Sequence, residues 1–359
     1  LLSLGGARYK SFTTARKKNN EVEIAQKLSN MFNVQHEFLI RDPEYMAQNF
    51  DLSVLASNAM TLFYECQFLG QAQTIAAQVD IVHMGIGLDI FFCGHYMYKS
   101  RPKFLGRPAL FFVLKDLDSN ILERTFVNEV SYRLKTSSLT SIVKPETMSD
   151  LNETLLRSIE EKMDEGRACD FYGHNLWEYM HLTDLGRHYS TLMARSLSCY
   201  VPVEVPCFEN NLYDLAFSTS IEGKVNWSVY QKALTEISDS AMRIRNSNTN
   251  LPAHLSLQTQ SLLNVLRGVV GRVSRSSRLK RMPGFGDRSW PAVKDDLENP
   301  FFRDKMEALS ESGAIMSLSF IDPDRLRKVI REHQDGRHNH AVLLSLLLTL
   351  EHGLLQHQA

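Results

Sequence analysis

Residues 79–98 read VDIVHMGIGLDIFFCGHYMY, and the fold follows from how this stretch is divided. Val79–Met84 is short, apolar and β-branched, as a buried strand would be. It stops at Gly85-Ile86-Gly87, where two glycines let the backbone turn sharply and pass close to a ligand. Asp89 follows in apolar surroundings, the only acid between Asp80 and Asp116. A strand, a glycine turn and an acid opening a helix predict a site at the carboxyl end of a parallel sheet, where open α/β sheets bind their ligands. A plain buried turn is the competing reading of G-x-G-x-D.

Working outward toward the N-terminus, Leu1–Leu4 before Gly5-Gly6 has the pattern of a last helical turn with a glycine stop. Residues upstream of Leu1 are therefore expected to belong to the fold. Tyr9–Thr14 and His36–Ile40 are strand candidates. Between them Asn19-Asn20 supplies a helix cap, with Glu23 placed for a capping box. Ile24, Leu28 and Met31, joined by Ala25 and Phe32, form the expected buried face. Helices over Pro43–Ser57 and Thr61–Gln78 lead to the central stretch. This rhythm predicts an α/β fold, a parallel sheet with flanking helices joined by right-handed crossovers.

Beyond Pro108 the pattern turns helical, around Ile121–Leu134, Ser149–Met163 and Trp177–Ser198. Val201–Val205 contains Pro202 and is expected to be extended without being a central strand. Asn246–Pro252 is a loop. A helical C-terminal part follows, so the expected division is 1–255 for the α/β portion and 256–359 for a helical extension packed on it.

A net charge of −1 gives the chain no global field for nucleic acid or an anionic membrane, and neither is an expected partner. The most apolar stretch, Ala341–Leu355, is interrupted by Ser345, Thr349, Glu351 and His352 and is too short to span a bilayer, which predicts a core helix. Five scattered cysteines without a C-x-x-C pair suit buried thiols in a reducing cytoplasm.

Three segments in order carry a resemblance. The first is SFTT at 11–14 followed by NNEVEIAQKLSNMFNVQHEFL at 19–39. The second is MGIGLDIFFCGHY at 84–96, and the third is VPVEVPCFENNLYDLAFSTSIEGK at 201–224. Together they resemble the synthetase domain of the asparagine synthase family, with S-G-E-G-x-D-E-x-F-x-G-Y matching the second and R-x-P-F-L-D-x-x-L-x-x-x-A the third. SWP at 289–291 is compatible with longer members. The resemblance implies an adenine nucleotide alpha hydrolase-like fold of the PP-loop ATPase type. It also implies that a phosphate loop and a glutamine-hydrolysing domain lie upstream of the present start, so the chain as given is expected to show no ATP–pyrophosphate exchange.

The implied reaction is ATP-dependent. A carboxylate, aspartate or another small acid, attacks the α-phosphorus of ATP with Mg²⁺ neutralising charge, and glutamine-derived ammonia then forms the amide. By the same matching Asp89 is the metal residue. Thr14, Gly85, Gly87 and Tyr96 lie along the nucleotide, with His95 beside Tyr96, and Lys224 and Lys232 are the cations near the phosphates. Three positions depart from the family: Ile86 and Ile90 stand for glutamates and Glu204 for an arginine. Isoleucine can neither accept a proton nor orient ammonium. A noncatalytic nucleotide-binding module, or a divergent enzyme acting on another carboxylate or amine, therefore stands beside the amidotransferase.

Other residue groups weigh toward ordinary structure. His174, His181 and His188 recur every seven residues and predict a polar stripe more than a zinc site. His338 and His340 sit in a polar loop. Arg267, Arg272, Arg275, Arg278, Lys280, Arg281 and Arg288 read as a solvated basic helix and loop, with a polyanion site as the alternative. Cys93 is expected to be packed and unreactive.

Overall fold

Backbone pairing gathers the apolar strand candidates into short parallel ladders. The computed structural model describes residues 8–130, 139–184, 189–273, 289 and 293–358. Among them the strands in chain order are β1 (Lys10–Ala15), β2 (Gln35–Ile40), β3 (Val82–His83), β4 (Lys99–Ser100), β5 (Lys103–Phe104), β6 (Arg107–Pro108), β7 (Val113–Leu114) and β8 (Val203–Glu204). β1 with β2 and β3 with β8 are parallel; β4 with β7 and β5 with β6 are antiparallel. Helices make up most of the rest, so the architecture is mixed α/β with small parallel sheets and flanking helices. The expected single sheet is, among the described residues, two separate parallel pairs.

The described residues fall into two compact units, each drawn from three stretches of chain. The first holds 8–41, 85–117 and 205–273 with Ser289; the second holds 42–84, 118–204 and 293–358 in their described parts. The expected boundary at 255 falls inside the first unit, and the C-terminal helices belong to the core of the second.

In the first unit, β1 and β2 run in register from Lys10 opposite Gln35 to Ala15 opposite Ile40. The helix Asn20–Met31 makes the crossover that a parallel pair requires. Its cap is Asn19, whose side chain accepts from the N–H groups of Glu21 (3.0 Å) and Val22 (3.1 Å). Glu23 is not used as a capping box; it pairs with Arg245 at 2.7 Å. The buried face also differs from the expected one. Val22 and Ser29 are buried, whereas Met31 is 43% exposed. The helix rotates because Ser29 reaches the sheet: Ser11 Oγ lies 2.8 Å from both Ser29 Oγ and His36 Nδ1.

In the second unit, Val82 N–H donates to Pro202 O (2.8 Å) and Met84 N–H to Glu204 O (2.9 Å). Among the described residues Val203–Glu204 is therefore extended and pairs on one side only, an edge and not a central strand, as expected. Pro202 contributes only its carbonyl, so its missing N–H costs the ladder nothing. The expected helix Thr61–Gln78 is broken into the short turns Phe63–Glu65 and Leu69–Gln71 before the helix Ala72–Ala76. Tertiary partners bond to backbone groups of this stretch. Thr349 Oγ1 accepts from Phe63 N–H (3.2 Å), and Tyr45 Oη donates to Gln67 O (2.9 Å).

The core of this unit is aromatic and aliphatic. Phe50 meets Phe63 edge-on at 5.1 Å and Phe63 stacks on Phe302 at 4.9 Å. Leu343, Leu344, Leu347 and Leu348 of the helix Ala341–Gln358 close the cluster, as expected of a core helix. No helix among the described residues is long and apolar enough to cross a membrane. His174 and His181 are half-buried, and His181 lies against the rings of Phe126 (5.2 Å) and Trp177 (6.3 Å), which replaces the expected polar stripe. His188 lies outside the described residues, as do Arg275, Arg278, Lys280, Arg281 and Arg288 of the basic run.

The last turn of the helix Pro323–Gln334 carries a pH dependence. His333 is buried, and its Nδ1 accepts the His340 N–H at 3.2 Å, which requires a neutral imidazole. Burial, reinforced by His340 and Lys294 and opposed by Glu298 and His338, lowers its pKa from 6.5. The unfolded chain takes up this proton first, so stability is lost as the pH falls below about 6.5. The limit for one site is about 1.4 kcal/mol per pH unit. His36 and His352 shift in the same direction, again through burial. Denaturation curves between pH 7 and 5 should show the fall, and His333→Gln should flatten it by up to one proton's worth. An unaltered slope in the variant would remove His333 from the effect.

Candidate functional site

Gly87 and Cys207 set the shape of the glycine turn in the first unit. Gly87 has φ +89°, and a Cβ added there would lie 2.5 Å from Cys207 Sγ. Cys207 is buried in the short turn Pro206–Phe208, and its thiol donates to the Ile86 carbonyl at 2.5 Å. Only glycine meets both demands, the left-handed backbone and the close sulfur. At Gly85 the space around a Cβ is open.

The helix Leu88–Phe92 starts at this turn. Ile90, Phe91 and Phe92 are buried, and the Phe91 ring meets Tyr213 at 4.7 Å. Asp89 is exposed, and among the described residues its carboxylate accepts no hydrogen bond and forms no ion pair. Its charge nevertheless reaches its neighbours. Burial first and Asp89 second push the Cys207 thiol up to about 11 and the Cys93 thiol up to about 12. Both thiols are protonated at neutral pH, in line with the packed role expected of Cys93. The Tyr230 phenol is raised by burial, then by Cys93 and Asp89.

Past the helix, Gly94 has φ +57°, and a Cβ there would lie 3.3 Å from the Val225 N and Cα atoms. This close backbone approach places the end of the short helix Ile221–Lys224 beside the 94–99 segment. Met97, Ile221 and Val225 form a small core with Phe112 and Leu114 packed on it. Lys224 is fully buried. Tyr96 follows His95, their rings edge-on at 4.8 Å. Desolvation lowers the His95 imidazole, with Asp89 opposing and Lys99 adding to the shift.

The structure thus brings Gly85, Gly87, Asp89, Tyr96 and Lys224 into one part of the first unit. Thr14 lies near the end of β1 in the same unit, with a buried Oγ1 that has no hydrogen-bond partner among the described residues. Lys232 is exposed on the helix Ser228–Met242. It lies two residues past Tyr230, about 200° around that helix, so it turns away from the face that feels Asp89. Ile90 is core, and Ile86 presents its carbonyl to Cys207. Glu204, in the second unit, pairs with His83 at 3.1 Å.

Two residues of this neighbourhood went unmarked in the sequence. Cys207 had no signal beyond following a proline. Lys99, which closes the run GHYMYK, donates to the carbonyl oxygens of Gly94 and His95. A lysine six residues beyond the buried Cys93 is the pattern that could have marked it.

Among the described residues no group of three or more His, Cys, Asp or Glu side chains could hold a metal ion by itself. Asp89 offers a single carboxylate, which could hold Mg²⁺ only with waters and phosphate oxygens completing its shell. No protein-family model matches the chain, and no curated protein matches it at a significant level.

Proposed function

We propose that this chain is the nucleotide-binding synthetase portion of an ATP-dependent amidotransferase of the asparagine synthase type, acting on aspartate or another small carboxylate with ammonia from a glutaminase domain. The observation that carries this reading is the pinned turn Gly85–Gly87, which follows β3 in the chain and presents the uncommitted Asp89 carboxylate. Lys224 is buried in the same unit. The sequence resemblance supplies the nucleotide, and the turn, closed against Cys207 Sγ at Gly87, supplies the placement of Asp89.

In this reading Asp89 holds Mg²⁺ together with phosphate oxygens, Thr14 and Gly85 line the nucleotide, and Lys224 balances phosphate charge. Bound ATP supplies an electrophilic α-phosphorus to the substrate carboxylate. Ile86 and Ile90 leave the amide-forming step without its acids, and that favours a second reading, a nucleotide-binding module that performs no turnover. All five cysteines are free thiols, Cys169 and Cys199 exposed, which suits a cytoplasmic setting.

The test is binding of a non-hydrolysable ATP analogue with and without Mg²⁺. Asp89→Asn is expected to weaken the Mg²⁺-dependent binding at least tenfold, about 1.4 kcal/mol, while leaving the thermal melt in place. Equal affinity in the variant would take Asp89 out of the metal site. In a longer form of the protein that carries the phosphate loop the resemblance implies, ATP–pyrophosphate exchange stimulated by aspartate supports the amidotransferase, exchange with a different acid supports the divergent enzyme, and binding with no exchange supports the module.

A further inference from the structure

Lys99 and Arg101 flank Ser100 and so project from the same face of the β4 segment. Lys99 Nζ stands 4.5 Å from the centroid of the Phe112 ring, and Arg101 Cζ stands 4.9 Å from it. That ring is fixed. The Phe112 N–H donates to Asn226 Oδ1 at 2.7 Å, its carbonyl accepts from Asn226 Nδ2 at 2.9 Å, and it packs on Met97, Ile221 and Val225.

Two cations therefore lie over one and the same ring. The ring attracts each of them but cancels neither charge. Among the described residues neither Lys99 nor Arg101 forms an ion pair, and the stretch 90–115 contains five basic residues and no acid. Like charges this close repel, and more strongly where one is half-buried. An anion between them would remove that repulsion, with a guanidinium fork and an ammonium point charge as donors. Burial comes first among the influences on Lys99, followed by Cys93, which raises it, and Arg101, which lowers it; the ammonium sits at about 8.

The kind of anion follows from the rings. Cations already lie over Phe112 and, through Lys115 at 4.5 Å, over Tyr98. Rings covered this way are not platforms for stacking bases, so a strand of nucleic acid is the poorer fit. A compact, multiply charged group is the better one. We propose that Lys99 and Arg101, held against Phe112, bind a diphosphate group, either as free inorganic diphosphate or as the phosphate tail of a nucleotide. Neither residue was assigned to the nucleotide site above, and this binding stands apart from the adenine reading.

Calorimetric titration of the full chain with inorganic diphosphate, without metal at pH 7, tests it. Saturable binding is expected, weakened at least tenfold in Arg101→Gln and partly retained in Arg101→Lys. Lys99→Gln should behave alike. Because Lys99 also ties down two backbone carbonyls, the exposed Arg101 keeps the test readable if that variant misfolds. Displacement of diphosphate by ATP assigns the site to a nucleotide tail, and no displacement assigns it to free diphosphate. No binding by the parent chain, or equal binding by Arg101→Gln, overturns the proposal. AMP, which lacks the diphosphate, is the control. AMP binding without diphosphate binding rejects the cation pair and leaves the proposed function standing; diphosphate binding with no binding of AMP or ATP rejects the nucleotide reading alone.

Discussion

Truncating Phe50 to alanine is expected to cost about 3–5 kcal/mol of stability, the usual range for emptying a fully enclosed aromatic site. Phe50 is 0% exposed. Its ring is edge-on to Phe63 at 5.1 Å, Phe302 at 5.6 Å, Phe301 at 5.7 Å and the His352 ring at 5.2 Å. The Lys305 ammonium sits 4.9 Å from its centroid. Removing it strips contacts from both the helix Phe50–Ser57 and the helix Pro300–Ser312, which are far apart in the chain. Neither helix can follow the void inward without losing its own packing, so the cavity stays open. Phe50→Leu refills most of the volume and should cost clearly less. Urea denaturation of the two variants measures both values. A loss below 1 kcal/mol for Phe50→Ala would mean that the aromatic cluster does not organise this unit.

The second large effect belongs to the glycine turn. Gly87→Ala is expected to destabilise the first unit by about 2–5 kcal/mol, from two separable causes. A left-handed φ costs a Cβ-bearing residue about 1–2 kcal/mol. The new methyl would also stand 2.5 Å from Cys207 Sγ, and relieving such overpacking costs about 1–3 kcal/mol. A double-mutant cycle separates them. Cys207→Ala removes the sulfur and leaves its Cβ 3.5 Å from the added carbon, an ordinary contact. In that background Gly87→Ala should retain only the backbone cost. Additive losses would show that the sulfur is not what excludes a side chain at 87. Under the proposed function the same variant should also impair binding of the ATP analogue, because a displaced turn carries Asp89 with it.

Much of the architecture was legible from local pattern. The parallel β1–β2 unit, its crossover helix, the strand at Val82 and the buried C-terminal helix all rest on signals contained in windows of ten or so residues. Strand alternation, helical periodicity and a capping asparagine act at that range. The glycine turn was equally plain, since two glycines and an acid after an apolar run restrict the backbone wherever they occur.

What the pattern could not decide were the outcomes set by distant partners. Which face of the helix Asn20–Met31 is buried depends on Ser29 of that helix meeting Ser11 of β1. Thr61–Gln78 has helical composition, yet Thr349 and Tyr45 bond to its backbone groups. The extended Val203–Glu204 gains a ladder partner because Val82 and Met84 need acceptors. Cys207, Lys99 and Arg101 acquire meaning only from Ile86, Gly94 and Phe112. The local sequence of this protein thus determined its elements and the position of its one marked turn. Tertiary contact decided which side chains share an environment, because hydrogen bonds, close packing and charge act through space between residues the chain keeps far apart.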